Sequence, residues 1–342
     1  MARPANPLGS PLPLVAAPMA GGPTTVRLAA AATEAGAFAF LAGGYKTADA
    51  LAAEIAELRR STETFGVNLF APVPSMVDDA DYRRYAEELR ADAERYGLDL
   101  PPEPQTDDDR WQDKLDLLLA DPVPVVWLTF GLAQAADFAA LRRAGSRLLV
   151  TVTTVTEARV AAEAGVDGLV VQGSDAGGHN GTHDPYRAII PTRTDELTRA
   201  VGQVTGLPLI AAGGVDGPQA VTALLDAGAG AVAVGTLLLR TDESGASQTY
   251  RDALADPGFD GTVITRAFTG RYARGLRNRF IADHEAGAPA GYPAIHYLTR
   301  DLRRAAAAAG DPHRVNLWAG TGYRNAGTGP ARAVIERLAG DL

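Results

Sequence analysis

Short apolar runs rich in valine, leucine and alanine recur along the chain, and amphipathic stretches that favour helices separate them. Strands that are buried on both faces have continuous apolar sequences, so each run predicts a strand of a parallel sheet. The eight predicted strands lie at residues 14–17, 37–42, 64–69, 123–130, 147–153, 168–172, 208–212 and 231–235.

Helical segments with start and stop signals follow several of these strands. One predicted helix begins at Thr47, a second begins at Thr156 and ends at Gly165, and a third covers residues 216–228. Strand–helix units repeated eight times predict an α/β fold, a (β/α)8 TIM barrel, because eight parallel strands close into a barrel. A doubly wound open sheet is the alternative, but no G-x-G-x-x-G motif follows the first strand.

Two long stretches do not fit this repeat. The first has charged helical patterns at residues 79–96 and 109–119, and the second follows the last strand. We therefore predict that these stretches form a small, lid-like second domain that covers the barrel mouth and excludes water, with a purely decorative outer layer as the alternative. The predicted parts are a barrel at residues 1–70 and 121–262, a helical insertion at residues 71–120, and a C-terminal lid and closing segment at residues 263–342.

Composition narrows the function classes. The 342-residue chain has a net charge of -9, whereas nucleic-acid-binding proteins are more often basic, so we expect no nucleic-acid partner. It contains no cysteine, which excludes disulfides, thiolate nucleophiles and cysteine-ligated metals. No apolar run approaches the ~20 residues that span a bilayer, and the N-terminus does not resemble a signal peptide. We expect a soluble, cytoplasmic protein with no membrane partner.

Glycines follow the last two predicted strands. Gly213 and Gly214 come after the seventh strand, and Gly235 and Thr236 come after the eighth. Glycine lets backbone N–H groups approach an anion closely, and in barrels the loops after these two strands form the common phosphate site. The pattern therefore predicts a phosphate site, rather than simple connecting turns, but it does not identify the ligand.

A glycine-rich loop follows the sixth predicted strand and runs from Gln172 through His179 to His183. Catalytic side chains of barrels stand at such strand ends, and an imidazole suits proton abstraction or hydrogen bonding to a polarised substrate. His179 is therefore a candidate catalytic residue, with a structural role as the alternative. The two histidines do not predict a metal site, because glycines oppose the helix that would align them and Asp175 is the only carboxylate between Gln172 and His183.

Short motifs occur in a consistent order through most of the chain. They are Ala17 to Gly22 (APMAGG), Phe65 to Phe70 (FGVNLF), Val171 to His179, Ile210 to Gly214, Val234 to Thr236, Glu243 to Ala246 (ESGA), Phe268 to Arg271 (FTGR), Ala273 to Gly275 (ARG) and Trp318 to Gly320 (WAG). At these spacings the chain resembles the nitronate monooxygenases, formerly called 2-nitropropane dioxygenases, and is most similar to their class I members.

The resemblance implies FMN as a non-covalent cofactor and His179 as the active-site histidine. The residues that it implies for cofactor binding are Met19, Asn68, Gln172, Gly177, Gly213, Gly214, Gly235 and Thr236. The implied reaction is oxidation of an alkyl nitronate, and in some members of a nitroalkane, with O₂ to a carbonyl compound and nitrite. The implied partners are a small anionic substrate and O₂, and the oligomeric state stays open between monomer and dimer.

Two positions depart from the family pattern. Asp175 stands where many members have glutamate, and Ala233 stands where many have glutamine. The first change shortens the reach of a carboxylate, and the second removes the side chain of one expected cofactor hydrogen bond. The unfamiliar insertion at residues 71–120 leaves the substrate range open.

Other functions remain as alternatives. FMN-dependent enoyl-thioester reductases, which use NAD(P)H, also resemble this chain and share its Gly-Gly-His loop. A non-catalytic flavin-binding protein is an alternative of a different class. A Schiff-base aldolase would need an inner-strand lysine, and Lys46 is more consistent with a solvated loop residue. Arg271, Arg274, Tyr297 and Tyr323 are candidate contacts for an anion, with salt bridges or ordinary packing as the alternatives.

Overall fold

The computed structural model describes residues 3–72 and 76–340, and eight parallel strands close into a barrel at its centre. The strands in chain order are β1 Leu14–Ala16, β2 Phe38–Ala42, β3 Gly66–Phe70, β4 Val125–Thr129, β5 Arg147–Val152, β6 Gly168–Gln172, β7 Gly178–His179, β8 Leu209–Ala212, β9 Ala231–Val234, β10 Thr262–Thr265 and β11 Ala273–Leu276. The barrel order is β1-β2-β3-β4-β5-β6-β8-β9, and β9 pairs with β1 to close it. The predicted TIM barrel and its eight strands are confirmed, and the open-sheet alternative is wrong.

Helices surround the barrel. They are α1 Val26–Glu34, α2 Ala48–Leu58, α3 Asp79–Glu88, α4 Arg90–Glu94, α5 Trp111–Ala120, α6 Ala135–Arg143, α7 Val155–Glu163, α8 Thr194–Gly202, α9 Pro218–Asp226, α10 Gln248–Ala253, α11 Arg279–His284, α12 Ala294–Ala308 and α13 Ala331–Ala339. Short 3-10 turns lie at Thr236–Leu238, Pro312–Arg314 and Tyr323–Asn325.

The helix starts follow ordinary capping chemistry. The Thr47 hydroxyl accepts a hydrogen bond from the Ala50 N–H and caps α2, at the predicted start. The predicted start at Thr156 is wrong by two residues, because Thr154 caps α7 by accepting from the Glu157 N–H. The single helical stretch expected at residues 79–96 is divided into α3 and α4.

Two apolar clusters lie on opposite sides of the barrel wall, because successive side chains of a strand point to opposite faces. Val15, Phe40 and Trp127 belong to the cluster inside the barrel. Leu14 and Ala16, the neighbours of Val15, belong to the larger cluster between the strands and the surrounding helices. Burial on both faces explains why the strand sequences are continuously apolar.

The two additions to the barrel share a core of their own. Tyr82 and Tyr85 from α3 pack in one buried cluster with Phe268, Phe280 and Leu298 from the C-terminal part of the chain. The Tyr85 hydroxyl donates to the Ala267 carbonyl at 2.6 Å, which joins the two stretches directly. This packing agrees with a joint lid-like layer, while the domain boundaries themselves stay a prediction.

A small antiparallel sheet, which the apolar pattern did not predict, has the order β10-β11-β7. In it, His179 is paired with Ala273 and Gly178 with Arg274. The C-terminal stretch therefore fixes the backbone of the glycine-rich loop that carries His179. Within residues 3–72 and 76–340, no helix combines the length and the apolar character needed to cross a membrane.

Candidate active site

A cavity of about 600 Å³ lies at the C-terminal ends of the barrel strands. The structure brings every predicted catalytic and cofactor-binding residue to its wall, and those residues are Met19, Asn68, Gln172, Gly177, His179, Gly213, Gly214, Gly235 and Thr236. Their individual roles stay predictions. The cavity falls in the size range of small-molecule and cofactor sites.

One end of the cavity is formed by the glycine corners after β8 and β9. Gly213 and Gly214 have φ angles of 115° and 74°, a backbone region that favours glycine. At Gly235 an added Cβ would meet nothing closer than the Met19 Sδ atom, at 3.5 Å, so this position is open to the cavity. Among the described residues, the N–H groups of Gly214, Gly235 and Thr236 donate no hydrogen bond. Free backbone donors on a concave surface without side chains fit an anion such as a phosphate.

Asn68 and Met19 also line the cavity. The Asn68 Nδ2 atom donates to the Trp127 carbonyl at 2.8 Å and to Thr129 Oγ1 at 2.9 Å. The Oδ1 atom of Asn68 has no partner among the described residues and so stays available to a ligand. The Met19 backbone, in contrast, is engaged with Thr24, through its N–H at 2.8 Å and its carbonyl at 3.2 Å.

Gln172 holds the loop that carries His179. Its Nε2 atom donates to the His179 carbonyl at 3.0 Å, and its Oε1 atom accepts from the Gly181 N–H at 2.7 Å. Both ends of this amide are therefore used inside the protein. His183 lies outside the cavity wall, and its Nε2 atom lies 2.9 Å from the Thr151 carbonyl oxygen, which is a structural contact.

The His179 imidazole is surrounded by aromatic rings. The ring centroids of Phe130, Tyr292 and Trp318 lie 5.7, 5.6 and 5.5 Å from its own. Its Nε2 atom lies 2.9 Å from Thr269 Oγ1. Burial, aided by the positive charges of Arg271 and Arg303, lowers the pKa of His179 to about 3. The imidazole is therefore neutral at pH 7.

Two buried guanidinium groups flank this histidine. Arg271 donates to the carbonyl groups of Asn180 and Thr182, and its guanidinium lies 3.9 Å from the ring centroid of Phe130. Arg303 donates to Thr299 Oγ1 at 3.0 Å and to the His296 carbonyl at 2.9 Å. Burial lowers the pKa of each to about 10, so both stay charged at pH 7.

Neither guanidinium group has a carboxylate within salt-bridge distance among residues 3–72 and 76–340. The structural salt bridge considered for Arg271 is therefore wrong for this part of the chain. Arg274 likewise bonds to neutral groups, the Ser174 carbonyl at 2.6 Å and Thr262 Oγ1 at 3.0 Å. Buried cations without counterions make a cavity favourable for an anion.

Sequence reasoning missed an aromatic group near His179, in which Tyr45 and His296 line the cavity and the Tyr292 ring centroid lies 5.6 Å from that of His179. The Tyr45 ring stacks on His296, with centroids 4.3 Å apart and an interplanar angle of 3°. The Tyr292 hydroxyl donates to the Tyr45 hydroxyl at 3.2 Å. These residues come from the β2–α2 loop, from the segment just before α12 and from α12 itself, so no local motif joins them.

The remaining sequence candidates have structural partners. The Lys46 Nζ atom pairs with Glu54 at 2.5 Å, and the Tyr297 hydroxyl donates to Asp107. The buried Tyr323 hydroxyl donates to the Phe259 carbonyl at 2.7 Å. Across the described residues, no group of three or more histidine, cysteine, aspartate or glutamate side chains could hold a metal ion.

Comparison with known proteins decides among the families that share such a barrel. A profile of the nitronate monooxygenase family matches residues 10–341. The chain belongs to the nitronate monooxygenase family. It is 34% identical over 331 residues to a probable nitronate monooxygenase of Staphylococcus aureus (strain Newman), covering 95% of this chain and 93% of that protein. The motif resemblance is thereby confirmed, and the protein is an oxidoreductase.

Solved structures agree with membership of the nitronate monooxygenase family. The nitroalkane oxidase from Streptomyces ansochromogenes superposes with a TM-score of 0.92 at 45% identity, over 97% of this chain and 96% of that one. FabK from Thermotoga maritima is more distant, with a TM-score of 0.74 at 25% identity over 97% of this chain and 93% of that one.

Proposed function

We propose that this protein binds FMN in the barrel-mouth cavity and oxidises alkyl nitronates with O₂ to carbonyl compounds and nitrite. Two nitronate ions and one O₂ give two carbonyl compounds and two nitrite ions, so atoms and charge balance. The observation that carries this proposal is the neutral His179 imidazole in an aromatic cavity that Arg303 also lines, with the uncompensated guanidinium group of Arg271 buried nearby.

The cavity suits FMN at both ends. The free N–H groups of Gly214, Gly235 and Thr236 would hold the phosphate, and the free Oδ1 atom of Asn68 would accept a hydrogen bond from the flavin ring or ribityl chain. Bound FMN supplies the electron-accepting ring for the oxidation, and the protein binds and orients the substrate. Tyr45 and the other aromatic side chains around His179 exclude water.

The electrostatics favour a nitronate over a neutral nitroalkane. Arg271 and Arg303 place positive charge close to His179, which favours a substrate that arrives as an anion. An imidazole whose pKa is about 3 is a weak base, and it would remove the α-proton of a nitroalkane only slowly. In this proposal His179 donates a hydrogen bond to an oxygen of the nitronate, which has already lost its α-proton.

An absorption experiment tests the proposal and separates it from a reductase or a passive flavin binder. We expect the purified protein to show flavin absorbance that changes on anaerobic addition of an alkyl nitronate but not of NADPH, and to release nitrite when O₂ is admitted. Bleaching by NADPH without any reaction with nitronate would instead establish the reductase. A flavin that responds to neither compound would establish a binding protein.

Substitution of the histidine tests its role. His179→Asn should lower nitronate turnover at least about tenfold, the value of a lost hydrogen bond to a charged group, while FMN content stays unchanged. His313→Asn is the matched control, because His313 is exposed and does not line the cavity. Full activity of His179→Asn would contradict the assignment.

A further inference from the structure

Three residues at one side of the active site have left-handed backbone conformations that side chains other than glycine rarely adopt. Tyr45 has a φ angle of 67°, and the consecutive residues Asp109 and Arg110 have φ angles of 57° and 54°. Tyr45 belongs to the β2–α2 loop, whereas Asp109 and Arg110 belong to the insertion between β3 and β4. Such conformations persist only where surrounding contacts impose them.

A hydrogen bond connects these two places. The Tyr45 N–H donates to Asp109 Oδ1 at 2.8 Å, and Asp109 Oδ2 lies 2.7 Å from Lys114 Nζ. The Lys114 side chain is only 1% exposed, so this is a buried ion pair. Neither Nζ nor Oδ2 has a hydrogen-bond partner elsewhere in the described residues. The two oxygens of the Asp109 carboxylate therefore make different contacts. Oδ2 pairs with Lys114, and Oδ1 accepts the hydrogen bond from the Tyr45 backbone.

The ion pair is attached to a helix that packs against the barrel layer. Lys114 lies in the first turn of α5, which packs against α2 and α6 of the barrel layer. A buried ion pair gains little net stability, because desolvation of the two charges offsets their attraction. Added stability is therefore a weak explanation for the Asp109–Lys114 ion pair. A direct consequence of the pair is that the Asp109 carboxylate is held in one orientation.

The Tyr45 side chain depends on this anchor. Its ring stacks on His296, and its hydroxyl accepts from Tyr292, whose ring centroid lies 5.6 Å from that of His179. A second cavity of about 30 Å³, lined by Asp107, Asp109, Arg271 and both tyrosines, lies beside the ring. The Tyr45 ring is therefore not tightly packed on this side, and its backbone hydrogen bond to Asp109 is one of the contacts that hold it in position.

We propose that Asp109, oriented by Lys114, is a positioning residue that holds Tyr45 in place as a preorganised wall of the substrate chamber. The inference rests on the proposed function, because it assumes that the chamber beside His179 receives the nitronate. If Asp109 positions Tyr45, the insertion at residues 71–120 contributes to substrate binding. When the wall is already fixed, substrate binding does not have to order it, and the entropic cost of binding is smaller. Loss of the fixed wall should therefore weaken substrate binding more than it slows the chemical step.

Two double variants isolate the hydrogen bond from the ion pair. Asp109→Asn with Lys114→Met removes both buried charges but keeps an Oδ1 acceptor for the Tyr45 N–H. Asp109→Gly with Lys114→Met removes the same charges and the acceptor, and both asparagine and glycine tolerate the left-handed backbone. Glu54→Gln, which breaks the pair between Lys46 of the same loop and Glu54 of α2, is the control that should leave activity unchanged.

Two measurements are made on each FMN-loaded variant, amide hydrogen exchange of the peptide containing Tyr45 and the kinetic constants for an alkyl nitronate. We expect the Asn/Met variant to match the wild type, and the Gly/Met variant to exchange the Tyr45 amide faster and to show a KM raised about fivefold with kcat nearly unchanged. Equal exchange in the two double variants overturns the proposal, and so does faster exchange without a change in KM. The exchange measurement does not depend on nitronate turnover, so it separates failure of this inference from failure of the proposed function.

Discussion

The Nε2 atom of His179 lies 2.9 Å from the Oγ1 atom of Thr269, and this hydroxyl oxygen also lies 3.2 Å from the Arg271 carbonyl oxygen. A hydroxyl has one proton to donate, so its choice of acceptor selects the tautomer of the neutral imidazole. When Thr269 donates to Nε2, the imidazole proton stands on Nδ1 and is available to an anionic oxygen. In the proposed function, Thr269 would therefore determine whether the Nδ1–H of His179 can donate a hydrogen bond to the nitronate.

Thr269→Val tests this control, because valine nearly matches threonine in shape and Thr269 is only 1% exposed. We expect kcat/KM for a nitronate to fall about tenfold, the upper value of one neutral hydrogen bond, with FMN content unchanged. Thr269→Ser keeps the hydroxyl and should retain most of the activity. Equal kcat/KM in Thr269→Val and the wild type would show that the contact is incidental.

The lowered pKa of His179 predicts an unusual pH dependence. Because its pKa is about 3 rather than 6.5, the imidazole should not titrate between pH 6 and 8, and kcat/KM for a nitronate should show no His179 inflection there. A pH–rate profile checks this point. An inflection near pH 6.5 that disappears in His179→Asn would contradict it.

The same shift affects stability, with a defined sign. The unfolded chain binds a proton on His179 near pH 6.5, whereas the folded protein does so only near pH 3. The stabilising effect of keeping the imidazole neutral is therefore present above pH 6.5 and is lost as the pH falls toward 3. Urea unfolding between pH 7 and 4 should show a shallower loss of stability in His179→Asn than in the wild type.

The uncompensated charge of Arg303 predicts selectivity for anions. Arg303→Met should raise the KM for a nitronate about tenfold or more, because a cation with no counterion among the described residues would be lost from the cavity. The KM for a neutral nitroalkane should change little. Arg332→Met, on the exposed face of α13, is the matched control. Equal effects on charged and neutral substrates would show that Arg303 acts through packing.

The strands and the phosphate corner could be predicted from the sequence because both depend on local patterns. Burial on both faces leaves a continuous apolar run, and a left-handed corner such as Gly214 favours glycine. The loop with His179 was also predictable, because it directly follows a barrel strand. Each of these features is determined by the identities of a few residues that are neighbours in the sequence.

The rest depends on long-range packing, which a single sequence does not show. Tyr45 and His296 are neighbours only because the β2–α2 loop and α12 meet above the barrel. The pairing of His179 with Ala273 likewise joins segments far apart in the chain. Arg271 lies in the FTGR motif, but only the structure shows that its partners are carbonyl groups rather than a carboxylate.

The open corner at Gly235 predicts a selective effect on the cofactor. Its φ angle is not in the left-handed region, and an added Cβ would meet no protein atom closer than 3.5 Å, so Gly235→Ala should fold normally. The new methyl group would stand in the proposed phosphate site, and FMN affinity should fall at least about tenfold. Gly206→Ala, with no atom within 4 Å, is the control. Unchanged FMN binding by titration would remove Gly235 from the phosphate site.

Glu157 predicts a link between acid stability and the His179 loop. Burial would raise the pKa of its carboxyl, but the charge of His183 and hydrogen bonds from Thr153 and Thr182 outweigh burial and hold the pKa below its usual range. A lowered carboxyl pKa gives stability that is present above about pH 4.5 and is lost as the pH falls through the folded-state value.

Glu157→Gln should therefore lower the free energy of unfolding at pH 7 by about 1–3 kcal/mol, because the amide cannot accept all the hydrogen bonds that the carboxylate accepts. The variant should also lose less stability between pH 7 and 3 than the wild type. Urea unfolding at the two pH values measures both effects, with Glu163→Gln on the exposed side of the same helix as the control.

The same substitution should also affect turnover, because Glu157 accepts hydrogen bonds from Thr182 and His183, which close the loop that begins at Gln172. Nitronate turnover should therefore fall together with stability. Wild-type turnover in Glu157→Gln would show that the loop is fixed by its other contacts.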